Sequence, residues 1–173
     1  VQGDVILDHY SGDYLTFTNA GTFLRSSGTG TATVEGIFNN TGTLNVQTGT
    51  VKLTNGGGTS SGQTTTVASG ATLEFGGGTH TFSSGLTVAN GTVKVSSGTM
   101  RMNGSSSLPA VVVTDGTLSA NAATTAQTVT LSGGYQAGTS SLTVNGSMSW
   151  TGGYLAGTGS TVIASGATLS ISG

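Results

Sequence analysis

The chain has 173 residues, with 31 Gly, one Pro, no Cys, only 6% charged side chains and a net charge of -2. Ordinary soluble proteins are about 25% charged. Without a basic cluster the composition argues against nucleic-acid binding by phosphate neutralisation, and without Cys it excludes a disulfide scaffold and a thiolate metal site. No apolar stretch is long enough to cross a bilayer as a helix.

Residues 1–14 read as an N-terminal cap or a strand-donor segment. Val5-Ile6-Leu7 is an apolar run that either covers its own chain or joins the end of another copy. Around it stand Asp4, Asp8, His9 and Asp13, which form a polar cap or hold a cation. Their spacing matches no EF-hand loop, and the polar cap is the favoured reading. From Leu15 onward the pattern becomes regular. Short runs alternate apolar and polar residues and are bounded by Gly, Asn, Asp and Ser, which is strand-and-turn chemistry. No helix is expected.

The repeats give the architecture. Thr43-Leu44-Asn45-Val46 recurs as Thr72-Leu73-Glu74-Phe75 and as Thr92-Val93-Lys94-Val95. Seven residues after each comes a second strand: Thr50-Val51-Lys52-Leu53, Thr79-His80-Thr81-Phe82 and Thr99-Met100-Arg101-Met102. Both series step by 29 and then by 20 residues, so the two strands belong to one coil and length changes are confined to one corner. The expected fold is a single-domain, all-β parallel β-solenoid over residues 15–173, with about eight coils of roughly 20 residues and a length of roughly 40 Å. Hairpins of an antiparallel sandwich are the alternative, but hairpin loops vary independently.

The register predicts an inward column of Phe23, Leu44, Leu73, Val93, Leu118, Tyr135, Met148 and Leu169. Two residues on, Val46, Phe75, Val95, Ala120, Ala137, Trp150 and Ile171 form a second column. An upstream strand carries Phe38, Val67, Val88, Val113, Val144 and Ile163. Turns at Asn19-Ala20-Gly21, Asn40-Thr41-Gly42, Ser69-Gly70-Ala71, Asn90-Gly91, Asp115-Gly116 and Asn145-Gly146 precede the main strand, where a sharp corner needs residues that accept positive φ. Extra residues at Thr54–Gln63 and Asn103–Ala110 are expected to form loops on one edge, removable without loss of the fold.

Asn40-Thr41-Gly42-Thr43-Leu44-Asn45-Val46 and Thr48-Gly49-Thr50-Val51-Lys52-Leu53 resemble repeats of bacterial autotransporter passengers and filamentous-haemagglutinin-like adhesins. So does the run from Trp150 to Gly159, with Ala167-Thr168-Leu169 after it. The resemblance covers about Leu15 to Gly173. It implies a right-handed parallel β-helix displayed outside a bacterial cell, and it brings no catalytic residues with it.

The candidate chemistry is sparse. Polysaccharide lyases and hydrolases on parallel β-helices need clustered carboxylates. Glu74 is expected in an outward ladder of Asn45, Glu74, Lys94 and Ser119, paired with Lys94 rather than catalytic. Lys52 and Arg101 are expected to share another outward ladder, solvated or meeting an anionic glycan. His80 should point inward and bond a carbonyl rather than ligate a metal. The Thr column of Thr22, Thr43, Thr72, Thr92, Thr117 and Thr168 suits an ice-binding surface in general form, but sheet propensity explains it. Four Asn-X-Ser/Thr sites, at Asn39, Asn90, Asn103 and Asn145, serve equally as turns.

The expected function is a non-enzymatic structural or adhesive module, extracellular and on a bacterial surface, with no catalytic, cofactor or metal residues. The expected partners are further copies of the chain, end to end or laterally, and host or matrix glycans. Nucleic acid and membrane insertion are not expected. A carbohydrate-active β-helix enzyme is the alternative. The chain starts at Val1 and ends on the regular strand Thr168–Ile171, which reads as a piece of a longer solenoid or as an end that another subunit covers.

Overall fold

A computed structural model describes residues 2–8, 12, 15–60 and 62–173. Among them there is no helix, and every strand pairing is parallel. The chain winds into a β-solenoid of about eight turns, spaced about 19 residues apart. His9 and Asp13 lie outside the described residues.

Each turn has three faces. The first face runs through Ile6–Leu7, Thr31–Val34, Thr50–Leu53, then 72–75, 92–95, 110–113, 128–131, 147–150 and Thr168–Ile171. The second holds Thr16–Asn19, Ile37–Asn40, Gly57–Ser60, then 79–82, 99–102, Thr117–Ala120 and 135–138. The third holds Thr22–Arg25, Thr43–Val46 and Thr64–Val67, then 106–108, 124–126, 142–144 and Ser160–Ile163. Alternate residues of all three faces point into one interior, where Leu73, Phe75, Val93, Met100, Leu118 and Leu131 are buried. At the N-terminal end, Phe17 stacks on Phe38 with centroids 5.7 Å apart, and Phe23 meets both edge-on. Ile6–Leu7 pairs with Thr33–Val34 of the same chain, which is the self-capping arrangement.

The expected register needs correction. Leu73 lies between Val51 and Val93 on the first face, whereas Leu44 pairs with Phe23 and Thr65 on the third. The 29-residue spacing from Leu44 to Leu73 therefore joins two faces: it is a turn of 22 residues, from Val51 to Leu73, plus the seven from Leu44 to Val51. The same slip put Leu118 after Val93. Val111 stands there, and Leu118 follows Met100. Phe38 and Val113 belong to the second and first faces, apart from Val67, Val144 and Ile163 on the third. Tyr135 is not inward. It pairs with Thr117, is 47% exposed and stacks on Tyr154, so Gln136 takes the inward place and Ala137 turns outward. The physical reason is that all three faces use the same four-residue pattern, so alternation alone cannot say which face a strand joins.

Neither proposed loop is an insertion. Gly57–Ser60 pairs with 80–82, and Ser106–Leu108 pairs with 124–126, so both segments are strands of the coil. The turns aligned by sequence likewise sit at three different corners. The Thr column divides into three rows, Thr22–Thr43–Thr64, Thr50–Thr72–Thr92 and Thr79–Thr99–Thr117, one on each face.

One corner has a ladder of its own. Between the first and second faces, Gly56, Gly78, Gly98, Gly116, Gly134 and Gly153 stack turn on turn, all with φ between 62° and 80°. A Cβ built on Gly98 would lie 2.2 Å from the carbonyl oxygen of Gly78. Space and dihedral both demand glycine here. Gly70 also has positive φ, at 80°, but nothing lies within 4 Å of its Cβ position. Gly70→Ala should therefore cost only the left-handed strain, about 1–2 kcal/mol. Gly98→Ala adds a backbone clash and should cost clearly more, beyond about 3 kcal/mol. Urea unfolding of the two variants tests this, and equal losses would deny the close approach.

Candidate functional site

The charged groups on the first face form a triad across three turns. Lys52, Glu74 and Lys94 pair in register, with Nζ of Lys52 3.2 Å and Nζ of Lys94 3.3 Å from the Glu74 carboxylate. Ser96 Oγ donates to the same carboxylate at 2.6 Å. Burial pushes the Glu74 carboxyl up. The Ser96 hydroxyl and the two lysines outweigh it, and the group is held below its ordinary value. A carboxylate kept ionised between two cations is a poor proton donor and an ordinary ion-pair partner. The Glu74–Lys94 pair is as expected. Asn45 and Ser119 are not on this ladder, because they pair with Thr66 and Arg101 on other faces. Lys52 and Arg101 accordingly lie on different faces, and Arg101 stands between Thr81 and Ser119. The triad also interrupts the row beside Thr50, Thr72 and Thr92, so the first face lacks the paired Thr ranks of an ice-binding surface.

His80 is inward and buried, as its column requires. Its Nε2–H donates to Gly77 O at 3.1 Å, and its ring packs 4.9 Å from Phe75. Burial pushes its pKa down to about 4, against the opposing pull of the Gly77 and Leu53 carbonyls. It is a neutral core histidine. The second inward column read from the sequence begins at Val46 and leaves out Arg25. Its side chain is fully buried, and Nη2 donates to Asp4 Oδ1 at 2.8 Å and to Gly30 O at 3.3 Å. The signal was there: Arg25 falls two residues after Phe23, in the inward alternation of Thr22–Arg25.

The site with room for a ligand lies on the third face. Two of the three corners vary by a single residue. From the first face to the second, inward positions are four apart from Val34 to Phe38 and from Leu53 to Gly57, then five apart in the later turns: Phe75 to His80, Val95 to Met100, Val113 to Leu118, Leu131 to Gln136. From the second to the third they are five apart from Ser60 to Thr65 and four apart elsewhere: Asn40 to Leu44, Phe82 to Leu86, Met102 to Ser106, Ala120 to Thr124. From the third back to the first the distance varies, with six residues from Val67 to Leu73, five from Val88 to Val93 and three from Leu108 to Val111. Length variation is therefore not confined to one corner, as the repeats suggested, but it is greatest at the third-to-first corner, from three residues up to the seven between Arg25 and Ala32. Solenoids often bind along the side that varies.

At that corner a groove of about 490 Å³ crosses several turns, bordered by Ser69, Asn90, Ser107, Pro109, Gln127 and Asn145. It continues into a second concavity of about 350 Å³ along Asn45, Thr66, Thr87 and Asn90. The groove exists because the regular ladder fails here. Thr64–Val67 pairs only with Thr43–Val46, and the next turn has no strand on this face, merely a bridge from Thr87 to Ser107. No charged residue lines either part. The walls offer amides and hydroxyls, which donate and accept equally and suit a neutral, hydroxyl-rich ligand. Sequence reasoning named Asn90 and Asn145 as turn residues but could not place them along one groove.

Among the described residues, no group of three or more His, Asp or Glu is placed to hold a metal ion. Compared with known protein families, with curated proteins and with solved structures, the chain gives no match.

The buried histidine makes stability depend on pH. Its folded pKa, about 4, is below the ordinary 6.5, so the unfolded chain binds the extra proton between those values. Stability is then complete above pH 6.5 and falls as the pH drops towards 4, by about 3 kcal/mol in all. His80→Met, which copies its column neighbour Met100, should remove this slope. Chemical unfolding at pH 7 and pH 4 measures it. A wild type that lost no more stability than His80→Met over that range would contradict a neutral buried ring.

Proposed function

We propose that this chain is a non-enzymatic structural and adhesive module of an extracellular bacterial protein. It acts as a rigid rod that displays the third-face groove to neutral glycans. The observation that carries this reading is the pairing of one closed apolar interior with an uncharged, multi-turn groove at the variable corner. The repeats that resemble autotransporter passengers and haemagglutinin-like adhesins support the extracellular setting. The ionised Glu74, held between two lysines, supports a scaffold over a hydrolase or lyase.

Binding to immobilised neutral polysaccharides (cellulose, chitin, dextran) tests the reading. The wild type should bind at least one, and a variant carrying Asn90→Ala and Gln127→Ala should bind at least tenfold more weakly with an unchanged melting temperature. Equal binding by the two proteins would remove the groove as the adhesive surface. Depolymerisation of any of these polymers would replace the scaffold reading with an enzymatic one.

The proposal includes association of copies through the last turn. Leu169 and Ile171 occupy inward positions there and are 42% and 66% exposed. Ser160–Ile163 and Thr168–Ile171 each pair on one side only, and no residue from 116 to 173 is charged. An open, uncharged strand edge pairs with a further strand, whether a continuation of the same chain or another copy. Sedimentation should show concentration-dependent association of the wild type, abolished by Ile171→Lys. A wild type monomeric at millimolar concentration would sink this part of the proposal and leave the groove untouched.

A further inference from the structure

The interior is packed with apolar side chains along most of its length, but beside His80 it opens into a small chamber. The space open to the centre of a water molecule is about 20 Å³. About 10–15 Å³ on that measure admits one water. One feature of the sequence makes the space. In the third face, Thr65 follows Phe23 and Leu44 in the inward column, so a smaller residue stands where the two preceding turns place large ones.

The chamber is not a purely apolar void. Thr65 Oγ1 and Gln63 Nε2 are both buried without a hydrogen-bond partner, and both residues line the space. Gln63 Oε1 already accepts from Asn40 Nδ2 at 3.3 Å, and this fixes which end of the amide is left over. Asn40 in turn donates to Gly42 O and accepts from Asn19, so this corner of the wall is an amide ladder with one open end. An unmade hydrogen bond on a buried polar atom costs about 1–3 kcal/mol. Two of them around a water-sized space are the arrangement in which a trapped water is more stable than a dry cavity. Nothing comparable occurs in later turns. Buried Ser106 and Thr124 bond backbone carbonyls at their own corners, of Gly104 and Ala122, and Gln136 accepts from Thr161.

We propose that this chamber is a binding site for one ordered water. The water accepts from Gln63 Nε2 and donates to Thr65 Oγ1, with neutral His80 and Asn40 in the wall around it. It completes the polar ladder at the turn where the strand pairing of the third face stops. Thr65 is therefore a water-holding residue and not a failed core position.

Crystals of the wild-type chain at atomic resolution, native and under xenon pressure, test this. The native crystal should show one fully occupied water peak within hydrogen-bond distance of both Gln63 Nε2 and Thr65 Oγ1, and xenon should not displace it. In Thr65→Val the water should be lost and xenon should enter. Xenon in the wild-type chamber, an empty chamber, or Gln63 turned out to solvent would each overturn the proposal. In solution, a long-lived water contact to the Gln63 side-chain amide protons should be seen in the wild type by nuclear Overhauser spectroscopy. Its absence from a folded sample would overturn the proposal equally, whether or not the variant folds.

Discussion

At the corner between the first and second faces, each glycine backbone lies so close to the preceding turn that no side chain fits between them. A Cβ on Gly116 would lie 2.6 Å from Gly98 O, and one on Gly134 2.4 Å from Gly116 O. The backbone hydrogen bonds of the parallel ladders set successive turns at about 4.8 Å, and at that step this corner admits only glycine. Everything else inherits that step. Like residues then stack on like, because each row repeats its neighbour's environment one turn on. Thr50 meets Thr72 and Thr92, Phe17 meets Phe38, and Asn19 Nδ2 donates to Asn40 Oδ1 at 2.6 Å. Charges obey the same step with the opposite rule. Like charges one turn apart repel, so the first-face row alternates Lys52, Glu74, Lys94.

Buried polarity is unevenly spread, and the unevenness follows the strand pairing. Where the ladders run without a break, inward polar groups close on backbone nearby, as Ser106 and Thr124 do. Where a ladder stops, they do not. Gln63 and Thr65 keep unmatched atoms beside the third-face break. Near the N-terminal end, Arg25 buries Nε and Nη1 without a partner among the described residues. A buried cation held by one half-exposed carboxylate is weak evidence for stability, since apolar replacements of such pairs are often neutral or better. Arg25 and Asp4 therefore fix where the first turn closes on Gly30 more than they strengthen it.

Much of the architecture was legible in the chain, because strand alternation and Gly-rich corners repeat at a nearly constant interval. His80 inward, Glu74 beside Lys94, and Leu73, Phe75, Val93 and Val95 in one core all follow from alternation within a single strand. What alternation cannot supply is the face. Thr-Leu-Asn-Val at 43–46 and Thr-Leu-Glu-Phe at 72–75 are alike as strands, yet one pairs with Thr64–Val67 and the other with Thr50–Leu53. The distinguishing information sits in the corners: glycine with positive φ after the first face, a step of four residues in most turns after the second. Tyr135 shows the cost of ignoring it. A one-residue shift in register reverses inward and outward, and it turned an exposed stacked tyrosine into a supposed core residue. The groove was harder still, since it needs residues from five turns at once and an interruption that no local pattern announces.

The distribution of corner lengths also explains why a binding surface would be on the third face. The first-to-second corner is crowded by glycine contacts and spans four or five residues, and the second-to-third spans four or five as well. The third-to-first corner ranges from three residues, Leu108 to Val111, to seven, Arg25 to Ala32, without disturbing the columns on either side. Tolerance of length is tolerance of sequence. It is at this corner that Ser69, Asn90, Pro109, Gln127 and Asn145 differ from turn to turn while the core stays uniform. A rod built this way can vary one edge without changing how it folds, because the glycine corner and the corner that varies most lie on different sides of the same coil.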